Sequence, residues 1–455
     1  MGSEMCIRHR TGMKQRSNLV LSAFVGPCLP LAAIGLPLAV MLPNFYSSYV
    51  GLPIGLVGAA FMAVRFFDIG VDPFIGWAMD RTRNRFGPYR TWFVMGAPLL
   101  MLASAMIFFV KPGAGFGYLF VWLLALYLGF SVCTLAQLAW GAVLAPDYHQ
   151  RSRLFGWWQA ANIVGVLVAL FIPVLVVSLK LGDYVAGVRA MGGFIVLSLP
   201  LTLLIACLVA PEPQTGEARP EGGFSAWLDL IRRSVVRRVL LCDLLLGAAP
   251  GLMGALLFFF LEFVKGFDRA QSQIFMAAYF LAGLIGAPLW SWLAMRIGKH
   301  RALLAASLAF AALYAGVGFL PARDFRLTLL GFFVAGLPYA AGLLLTRAMM
   351  ADVADEVRFE TGQDRRAMLF AFLSFTTKMG YAISVGSLML LQAAGFDGQR
   401  HVHYPPLAFP TLEALFIGAP TLLLLLAVWP LVGYPLGPKR HAEIRAALEA
   451  RGAAA

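Results

Sequence analysis

Three charged residues stand together in an otherwise apolar part of the sequence: Arg65, Asp68 and Asp72. Spacings of three and four residues place their side chains on one face of a helix. Two carboxylates one turn apart supply the oxygen ligands that a hard cation such as Na⁺ prefers, and one carboxylate is enough to carry a proton. The pattern therefore predicts a cation site at Asp68 and Asp72 with Arg65 beside it. The alternative is an Arg65–Asp68 pair that only fixes helix packing.

A lysine, Lys378, lies well inside another apolar stretch. A buried lysine either loses its proton or pairs with a carboxylate, because a lone ammonium is costly to desolvate. The deep acids within its reach are expected to be Asp68, Asp72 and Asp243. We therefore expect Lys378 to couple electrostatically to the aspartates. The alternative is a lysine that extends its ammonium to the membrane surface.

Two further groups of polar residues are candidates for function. Uncharged polar side chains inside apolar segments indicate either a substrate cavity or hydrogen bonds between helices. The cavity candidates are Gln137, Trp140, Gln159, Asn162 and Thr377. Charges at segment ends can pair to close one side of a pathway, and the candidates for such a gate are Asp80, Arg81, Asp147, Arg151, Arg296, Arg347, Asp352 and Asp355. Arg347 lies inside its segment and suits a functional site or the gate equally well.

These residues belong to a chain of 455 residues that is 60% apolar and only 13% charged. A soluble protein carries roughly twice that charged fraction. Apolar stretches of about 20 or more residues are long enough to cross a bilayer as helices. Twelve are readable, near 18–46, 53–79, 91–110, 117–145, 154–179, 187–210, 238–264, 270–295, 302–320, 327–350, 367–394 and 409–436. We therefore predict an all-α membrane protein with twelve transmembrane helices.

The connections between these segments differ in charge. The termini and the even-numbered loops hold 25 Lys and Arg residues, against 7 in the odd-numbered loops. Because basic loops remain in the cytoplasm, this split predicts that both termini are cytoplasmic. The net charge of +13 does not require a nucleic-acid partner, since the basic residues stand in short runs between apolar segments.

A polar central loop divides the chain into two halves of six segments. The expected units are a tail at 1–17, a first bundle at 18–210, a central loop with an amphipathic helix at 211–237, a second bundle at 238–437 and a tail at 438–455. In the second and eighth segments, Pro73 and Pro288 are each followed by a tryptophan four residues later and an arginine eight residues later. Two parallel six-helix repeats are the arrangement of the major facilitator fold.

Several motifs together resemble one family of that fold, the glycoside–pentoside–hexuronide:cation symporters. The stretch from Arg65 to Gly76 is similar to the helix-two motif of this family. The stretches Asp80–Arg90, Pro146–Leu154 and Ala351–Gly380 resemble its later loops and segments in the same order. The resemblance therefore extends over most of the chain.

The resemblance implies roles for particular residues. Asp68 and Asp72 would bind the coupling cation, Lys378 would be linked to them electrostatically, and Trp140 would face the substrate. These roles agree with the reading of the acids and the lysine from their own chemistry.

The sequence also departs from this family. The positions at which relatives hold sugars with charged residues fall near Ala32, Ala136 and Gln159. Val71 stands where the family has an asparagine between its two acids. The ion-binding residues are therefore kept, whereas the charges that hold a galactoside are missing.

We expect a secondary transporter that couples Na⁺ or H⁺ to symport of a small organic solute, such as a glycoside. The alternatives are an uncoupled facilitator or exporter, and a transporter or scramblase of lysophospholipids or other amphipathic lipids. The sequence shows no nucleophile–base set, phosphate-binding loop or metal-ligand set, and His401 and His403 lack a further ligand. We therefore expect no enzyme activity and no cofactor, in a protein that functions as a monomer in the inner membrane.

Overall fold

The computed structural model describes residues 17–36, 42–82, 84–145, 148–212, 224–396 and 404–454, and within them the secondary structure is helical. Twelve helical spans follow one another, labelled α1–α12 in chain order. They are α1 (Asn18–Val25 and Cys28–Leu36, followed by Leu42–Phe45 and Tyr46–Val50), α2 (Ile54–Arg81), α3 (Pro88–Phe108), α4 (Phe116–Leu144), α5 (Tyr148–Ser178), α6 (Tyr184–Val209), α7 (Ser234–Phe259 and Phe260–Val264), α8 (Arg269–Ile297), α9 (Lys299–Gly318), α10 (Phe325–Gly336 and Tyr339–Thr361), α11 (Arg366–Ala393) and α12 (Ala408–Glu413, Ala414–Gly418 and Ala419–Leu426).

These spans confirm the predicted twelve-helix membrane fold. Among the described residues, eleven helices are long and apolar enough to cross a membrane. The charged helix α2, which is 28 residues long, completes the twelve. Helices are favoured because lipid offers no hydrogen-bond partner to the backbone, so each amide must be satisfied internally.

Both ends of the described chain lie at the same end of the bundle. Arg153, near the start of α5, contacts the side chain of Asn18 at the start of α1. Arg151 lies 3.2 Å from His441, which belongs to a helix at Pro438–Ala454 that we call the tail helix. This end also carries the even-numbered loops, and we call it the basic end.

The helices α2 and α8 repeat one local structure. The guanidinium of Arg81 lies 4.1 Å from the ring centroid of Trp77, one turn earlier in α2. In α8, the guanidinium of Arg296 lies 5.0 Å from the ring centroid of Trp292. These matching cation–π pairs confirm the internal repeat that the spacing of proline, tryptophan and arginine predicted.

The same repeat governs how the next helices begin. Gly87 precedes α3 with a φ of 98°, and Gly298 precedes α9 with a φ of 94°. These are backbone conformations that glycine adopts without the steric cost that other residues meet. Each half therefore turns from its second helix into its third in the same way.

The halves α1–α6 and α7–α12 meet along two pairs of helices, α2 with α11 and α5 with α8. Glycines allow these helices to approach closely. A Cβ atom on Gly76 would lie 2.7 Å from the Cβ atom of Ala371, and one on Gly156 would lie 3.0 Å from Oγ of Ser291. Larger side chains at these glycines would force the halves apart.

The two ends of the bundle differ. Toward the basic end, α4 also packs on α11 and α5 on α10. Within the described residues, no comparable packing joins α1 to α7 or α8. The bundle is therefore closed at the basic end and open toward the opposite end, which we call the open end.

Several helical boundaries differ from those predicted. The twelfth segment was expected to end near 436, whereas α12 ends at Leu426. Two other differences share one cause. The fifth segment was expected to begin near 154, whereas α5 begins at Tyr148. The tenth was expected to end near 350, whereas α10 continues to Thr361. These predictions were wrong because the apolar pattern ends at the first charges, although the helical backbone continues beyond the apolar layer.

A short helix in the central loop, Phe224–Arg232, lies beside the seam between the halves. The ring centroid of its Trp227 lies 5.1 Å from that of Phe74 on α2 and 6.5 Å from that of Phe372 on α11. This helix therefore touches both halves at the point where α2 and α11 meet.

Candidate functional site

The acids of α2 meet the lysine of α11 inside the bundle. Asp68 and Asp72 are buried. Nζ of Lys378 lies 2.7 Å from Oδ1 of Asp68 and 2.8 Å from Oδ2 of Asp72. One ammonium from the second half thus bridges two carboxylates of the first. The lysine side chain is 17% exposed, whereas the carboxylate of Asp72 is fully buried.

Two serine hydroxyls add further oxygen atoms to the Asp68–Asp72–Lys378 cluster. Ser131 of α4 donates to Oδ1 of Asp68 at 2.9 Å and accepts from Nζ of Lys378 at 2.9 Å. Ser374 of α11 donates to Oδ2 of Asp72 at 2.6 Å. Carboxylates and hydroxyls are the ligand types that a hard cation requires, and either carboxylate could instead bind a proton.

Arg65 lies on α2 beside this cluster. Its guanidinium interacts with the hydroxyl of Tyr127 on α4 and lies within electrostatic reach of Tyr381 on α11. The ion pair of Asp68 is made with Lys378. The alternative of a purely structural Arg65–Asp68 pair is therefore not favoured.

Another buried acid, Asp243 of α7, forms a separate cluster in the second half. Its Oδ1 accepts a hydrogen bond from Thr346 at 3.0 Å. Its Oδ2 accepts from Thr376 at 2.9 Å and from Thr377 at 2.7 Å. Thr377, a cavity candidate, is therefore a partner of Asp243, and its neighbour Lys378 points to the other side of α11.

Arg347 lies between the halves, away from the gate at the basic end. Its guanidinium lies 4.6 Å from the ring centroid of Trp158 on α5, and its Nη1 donates to the carbonyl of Leu343 at 2.8 Å. The assignment of Arg347 to the gate is therefore wrong in this structure. The position of a long side chain within a helix could not distinguish the two sites.

The amides on α4 and α5 lie in different surroundings. Gln137 is buried and donates to the carbonyl of Phe24 at 3.1 Å, so it links α4 to α1. Gln159 is buried on α5, and its Oε1 has no hydrogen-bond partner among the described residues. Asn162, one turn from Trp158, donates to the carbonyl of that residue at 2.8 Å. Gln159 and Asn162 thus remain cavity candidates, while Gln137 serves helix packing.

Trp140 is fully buried and does not line the space between the halves. Its indole donates to the carbonyl of Pro211 at 3.2 Å, and the guanidinium of Arg90 lies 5.3 Å from its ring centroid. The prediction that Trp140 faces the substrate is therefore wrong in this structure. Its polar edge is satisfied by the chain that follows α6.

The gate at the basic end is built around Arg151 of α5, which is fully buried. Its Nη1 lies 3.0 Å from Asp352 and its Nη2 lies 2.8 Å from Asp355, both on α10. Nζ of Lys299 lies 2.6 Å from Asp352, and Nη2 of Arg366 lies 3.0 Å from Asp355. The network therefore joins the two halves by desolvated ion pairs.

Asp80 closes the gate at a second point. Its Oδ1 accepts from the backbone N–H of Ala367 at 2.9 Å, and its Oδ2 accepts from that of Met368 at 2.9 Å. The carboxylate thus caps the first turn of α11, where the helix dipole and the free N–H groups favour negative charge. Asp80 of the first half is therefore hydrogen-bonded to the start of α11 in the second half.

Two other gate candidates, Arg81 and Arg296, stack on tryptophans of their own helices. Arg81 also lies within electrostatic reach of Arg365 at the start of α11, whereas Arg296 is exposed. The assignment of Arg296 to the gate is therefore wrong, because Lys299, one turn later, makes the pair with Asp352. Asp147, another gate candidate, and the His401–His403 pair lie outside the described residues.

The tail helix contributes residues that the sequence pattern did not indicate. His441 is fully buried, and its Nε2 lies 3.2 Å from Oδ2 of Asp355. Arg445 lies 3.7 Å from the same oxygen. Burial lowers the pKa of Arg445, and Asp355 opposes this effect. A basic terminal segment was visible in the sequence, but nothing indicated that it would insert into the gate.

Residues 24–438 match the family described as MFS/sugar transport protein. The chain belongs to this family. The match includes both halves, the Asp68–Asp72–Lys378 cluster and all the described gate residues except those of the tail helix. The resemblance to cation symporters within the major facilitator superfamily is thus confirmed at the level of the family.

Individual members and solved structures agree with this membership. The chain is 24% identical over 395 residues to the putative glycoside/cation symporter YagG of Escherichia coli, covering 84% of each chain. It is 22% identical over 442 residues to the sodium-dependent lysophosphatidylcholine symporter 1-B of Danio rerio, covering 88% of this chain and 82% of the relative. The fold is similar to a crystal structure of the E. coli fucose:proton symporter, with a TM-score of 0.66 and 17% identity, covering 90% of this chain and 97% of the other. This protein of the MFS/sugar transport family is thus a multi-pass membrane transporter.

Proposed function

We propose that this transporter is a symporter that couples Na⁺ or H⁺ to the movement of a small organic solute. The bridge from Lys378 to both Asp68 and Asp72 carries this proposal. Charges inside a membrane are costly and are retained mainly where ions or protons move. The relatives named glycoside/cation and sodium-dependent symporters support the same activity.

Coupling follows from competition for the two carboxylates. A cation that binds Asp68 and Asp72 must displace Nζ of Lys378, which otherwise holds α11 to α2. Emptying the site restores the ion pair and stabilises a different arrangement of the halves. A ligand shifts such an equilibrium by its difference in affinity for the two states, and no further machinery is needed.

The arrangement of the helices supports alternating access. We assign the basic end to the cytoplasm, in accord with the distribution of Lys and Arg. The network around Arg151 and the cap at Asp80 then close the cytoplasmic side, and the structure represents an outward-facing state. Transport proceeds when both contacts break and the open end closes. We propose that the protein functions as a monomer in the inner membrane.

The substrate is proposed at the level of class. Relatives are named for glycosides and for lysophosphatidylcholine, and this chain has Ala32 and Ala136 near positions where sugar-binding charges were expected. A glycoside or an amphipathic lipid such as a lysophospholipid is therefore the proposed cargo. Transport needs no covalent chemistry, so the proposal includes no enzyme activity or cofactor.

The test is uptake of glycosides, glucuronides and lysophospholipids by proteoliposomes under an imposed Na⁺ or H⁺ gradient. Wild-type uptake should rise with one of these gradients. Asp72→Asn should lose this response, because the amide cannot carry the charge that attracts the cation. Asp183→Asn is a matched control, since Asp183 only caps the start of α6 at the open end.

Two outcomes would contradict the proposal. Wild-type flux that ignores both gradients would identify an uncoupled facilitator. A gradient response of Asp72→Asn equal to that of wild type would place the coupling ion elsewhere.

A further inference from the structure

The helix of the central loop, Phe224–Arg232, which we call the loop helix, packs on a surface of the bundle that faces lipid. The ring centroid of its Trp227 lies 5.1 Å from that of Phe74 on α2, and the side chain of Phe74 is 61% exposed. Phe67, two turns earlier on α2, is exposed as well. Large apolar side chains exposed on a membrane-spanning helix contact the bilayer. The loop helix therefore continues the lipid-facing surface of α2.

Residues of α2 mark the depth of this contact in the membrane. Trp77 stacks on Arg81, the last residue of α2, and such aromatic and basic side chains occupy the membrane–water interface. Phe74 lies seven residues before Arg81, which corresponds to about 10 Å along an α-helix. An amphipathic helix at an interface buries its apolar face by about 5–10 Å. Trp227 therefore reaches the depth expected of an interfacial helix.

The exposed side of the loop helix combines apolar and basic groups. Leu228, Ile231 and Arg232 are exposed, and spacings of three and four residues place them on one face. Leu230 is buried against the protein on the opposite side. At the boundary between acyl chains and head groups, leucine and isoleucine contact the chains while arginine extends to the phosphates.

Four arginines at the end of the loop helix and the start of α7 differ in their partners. Arg233 pairs with Glu360 of α10, and Arg238 donates to two backbone carbonyls that follow α12. Arg232 and Arg237 are exposed, and neither forms an ion pair with an acid in the described part of the chain. Two such cations beside a membrane attract anionic head groups.

We propose that the loop helix, with Arg232 and Arg237, is a binding surface for anionic lipid of the cytoplasmic leaflet, and that bound lipid stabilises the closed gate. The inference rests on the proposed assignment of the basic end to the cytoplasm and on alternating access. The ligand is a bilayer phospholipid with net negative charge, because the surface offers cations for the head group and apolar side chains for the acyl chains.

The loop helix joins the two halves at the same end as the gate. Trp227 contacts Phe74 of α2 and lies 6.5 Å from Phe372 of α11, measured between ring centroids. Asp229 lies within electrostatic reach of Arg365 at the start of α11. When the gate opens, α2 and α11 separate at this end, so Trp227 cannot keep both contacts. Lipid bound to the helix over the closed seam therefore favours the closed state.

The first experiment measures binding. The purified full-length protein in detergent is titrated with short-chain phosphatidylglycerol, short-chain phosphatidylcholine and, separately, inorganic phosphate, and thermal stabilisation is recorded. Wild-type protein should bind phosphatidylglycerol about tenfold or more tightly than phosphatidylcholine, because each arginine near an anionic head group contributes about fivefold. Inorganic phosphate should not reproduce the effect, since it lacks the acyl chains that contact Leu228 and Ile231.

The double variant Arg232→Gln with Arg237→Gln should lose this preference. The matched control is Arg296→Gln with Arg301→Gln, which removes two exposed arginines of the basic end at the junction of α8 and α9. The control should keep the wild-type preference. The unfolding temperature without lipid verifies that each variant is folded, and the response to added Na⁺ or to pH reports separately on the cation site.

The second experiment measures the gate by hydrogen exchange in lipid nanodiscs. The backbone N–H groups of Ala367 and Met368 donate to Asp80 of the closed gate. In wild-type protein they should exchange about fivefold or more slowly in discs that contain phosphatidylglycerol than in phosphatidylcholine alone. Trp227→Ala should lose this slowing while it keeps the lipid preference, because the arginines remain and the contact with the seam is removed.

The outcomes separate this inference from the coupling proposal. Equal affinity for the two lipids, or a preference that survives in the double variant of the loop helix, would overturn the lipid surface even when the cation response is intact. A preference without slower exchange would overturn the effect on the gate. If wild type lacks the cation response but shows the arginine-dependent preference, the coupling proposal fails and the lipid surface stands.

Discussion

Removal of the ammonium of Lys378 would leave Asp68 and Asp72 facing each other without a counter-charge. Lys378→Met should lower the stability of the cation-free protein by up to about 3–5 kcal/mol, because loss of one partner leaves buried charge uncompensated. Added cation should restore more stability than in wild type, since it no longer displaces a lysine. Thermal unfolding in detergent, titrated with Na⁺ and separately with pH, measures both effects.

Lys111→Met is the matched control, because Lys111 is exposed in the loop between α3 and α4. It should unfold with the same cation dependence as wild type. If Lys378→Met also keeps the wild-type dependence, the lysine does not compete with the coupling ion.

Individual residues were predictable to different degrees. Asp68 and Asp72 followed from local spacing, and their contact with Lys378 followed because few deep acids exist. Partners that depend on the rotation of a helix did not follow. Lys299 and Arg296 are one turn apart at the junction of α8 and α9, and only three-dimensional packing determines which of them reaches Asp352.

At the scale of the element, the tail helix packs against the closed gate, and we expect it to stabilise the closed arrangement. Its His441 and Arg445 contact Asp355, and its Ile444 is buried. Deletion of residues 438–455 should expose the carboxylates and loosen the first turn of α11. Hydrogen exchange should then accelerate at the backbone N–H groups of Ala367 and Met368, which donate hydrogen bonds to the carboxylate of Asp80.

An exposed pair in the same helix supplies the control. Arg440 and Glu443 form a solvent-exposed ion pair at 3.1 Å, and such pairs contribute little. Arg440→Gln should therefore leave exchange in α11 unchanged. Exchange in the truncated protein equal to that of wild type would show that the tail helix does not support the gate.

Helices were predictable as elements from apolar length alone, because a membrane leaves the backbone no other solution. Their ends and contacts were less so. The tail at 438–455 was expected as a separate cytoplasmic unit. Its contacts with charged residues of α5 and α10 depend on how these helices pack in three dimensions, which a single sequence does not reveal. The loop helix at Phe224–Arg232, by contrast, was expected from its amphipathic spacing.

At the scale of the whole molecule, the proposed alternating access makes the balance between outward-facing and inward-facing states depend on the strength of the gate. The arrangement of two six-helix halves was predictable from the internal repeat. Whether the gate is open or closed was not, because one sequence adopts both conformations.

Arg151 is fully buried and contacts Asp352 and Asp355 across the halves. Loss of one partner in such a network costs about 3–5 kcal/mol, and each 1.4 kcal/mol or so changes an equilibrium tenfold.

Arg151→Gln should therefore shift the population toward the inward-facing state by roughly a hundredfold or more. Spin labels at Lys111 and Ala322, exposed in loops of the two halves at the open end, report the shift after Cys6 and Cys207 are replaced. The distance between the labels should shorten in the variant as the open end closes. Arg296→Gln, which removes an exposed arginine at the basic end, should keep the wild-type distances. Identical distance distributions in Arg151→Gln and wild type would show that the Arg151 network does not set the conformational balance.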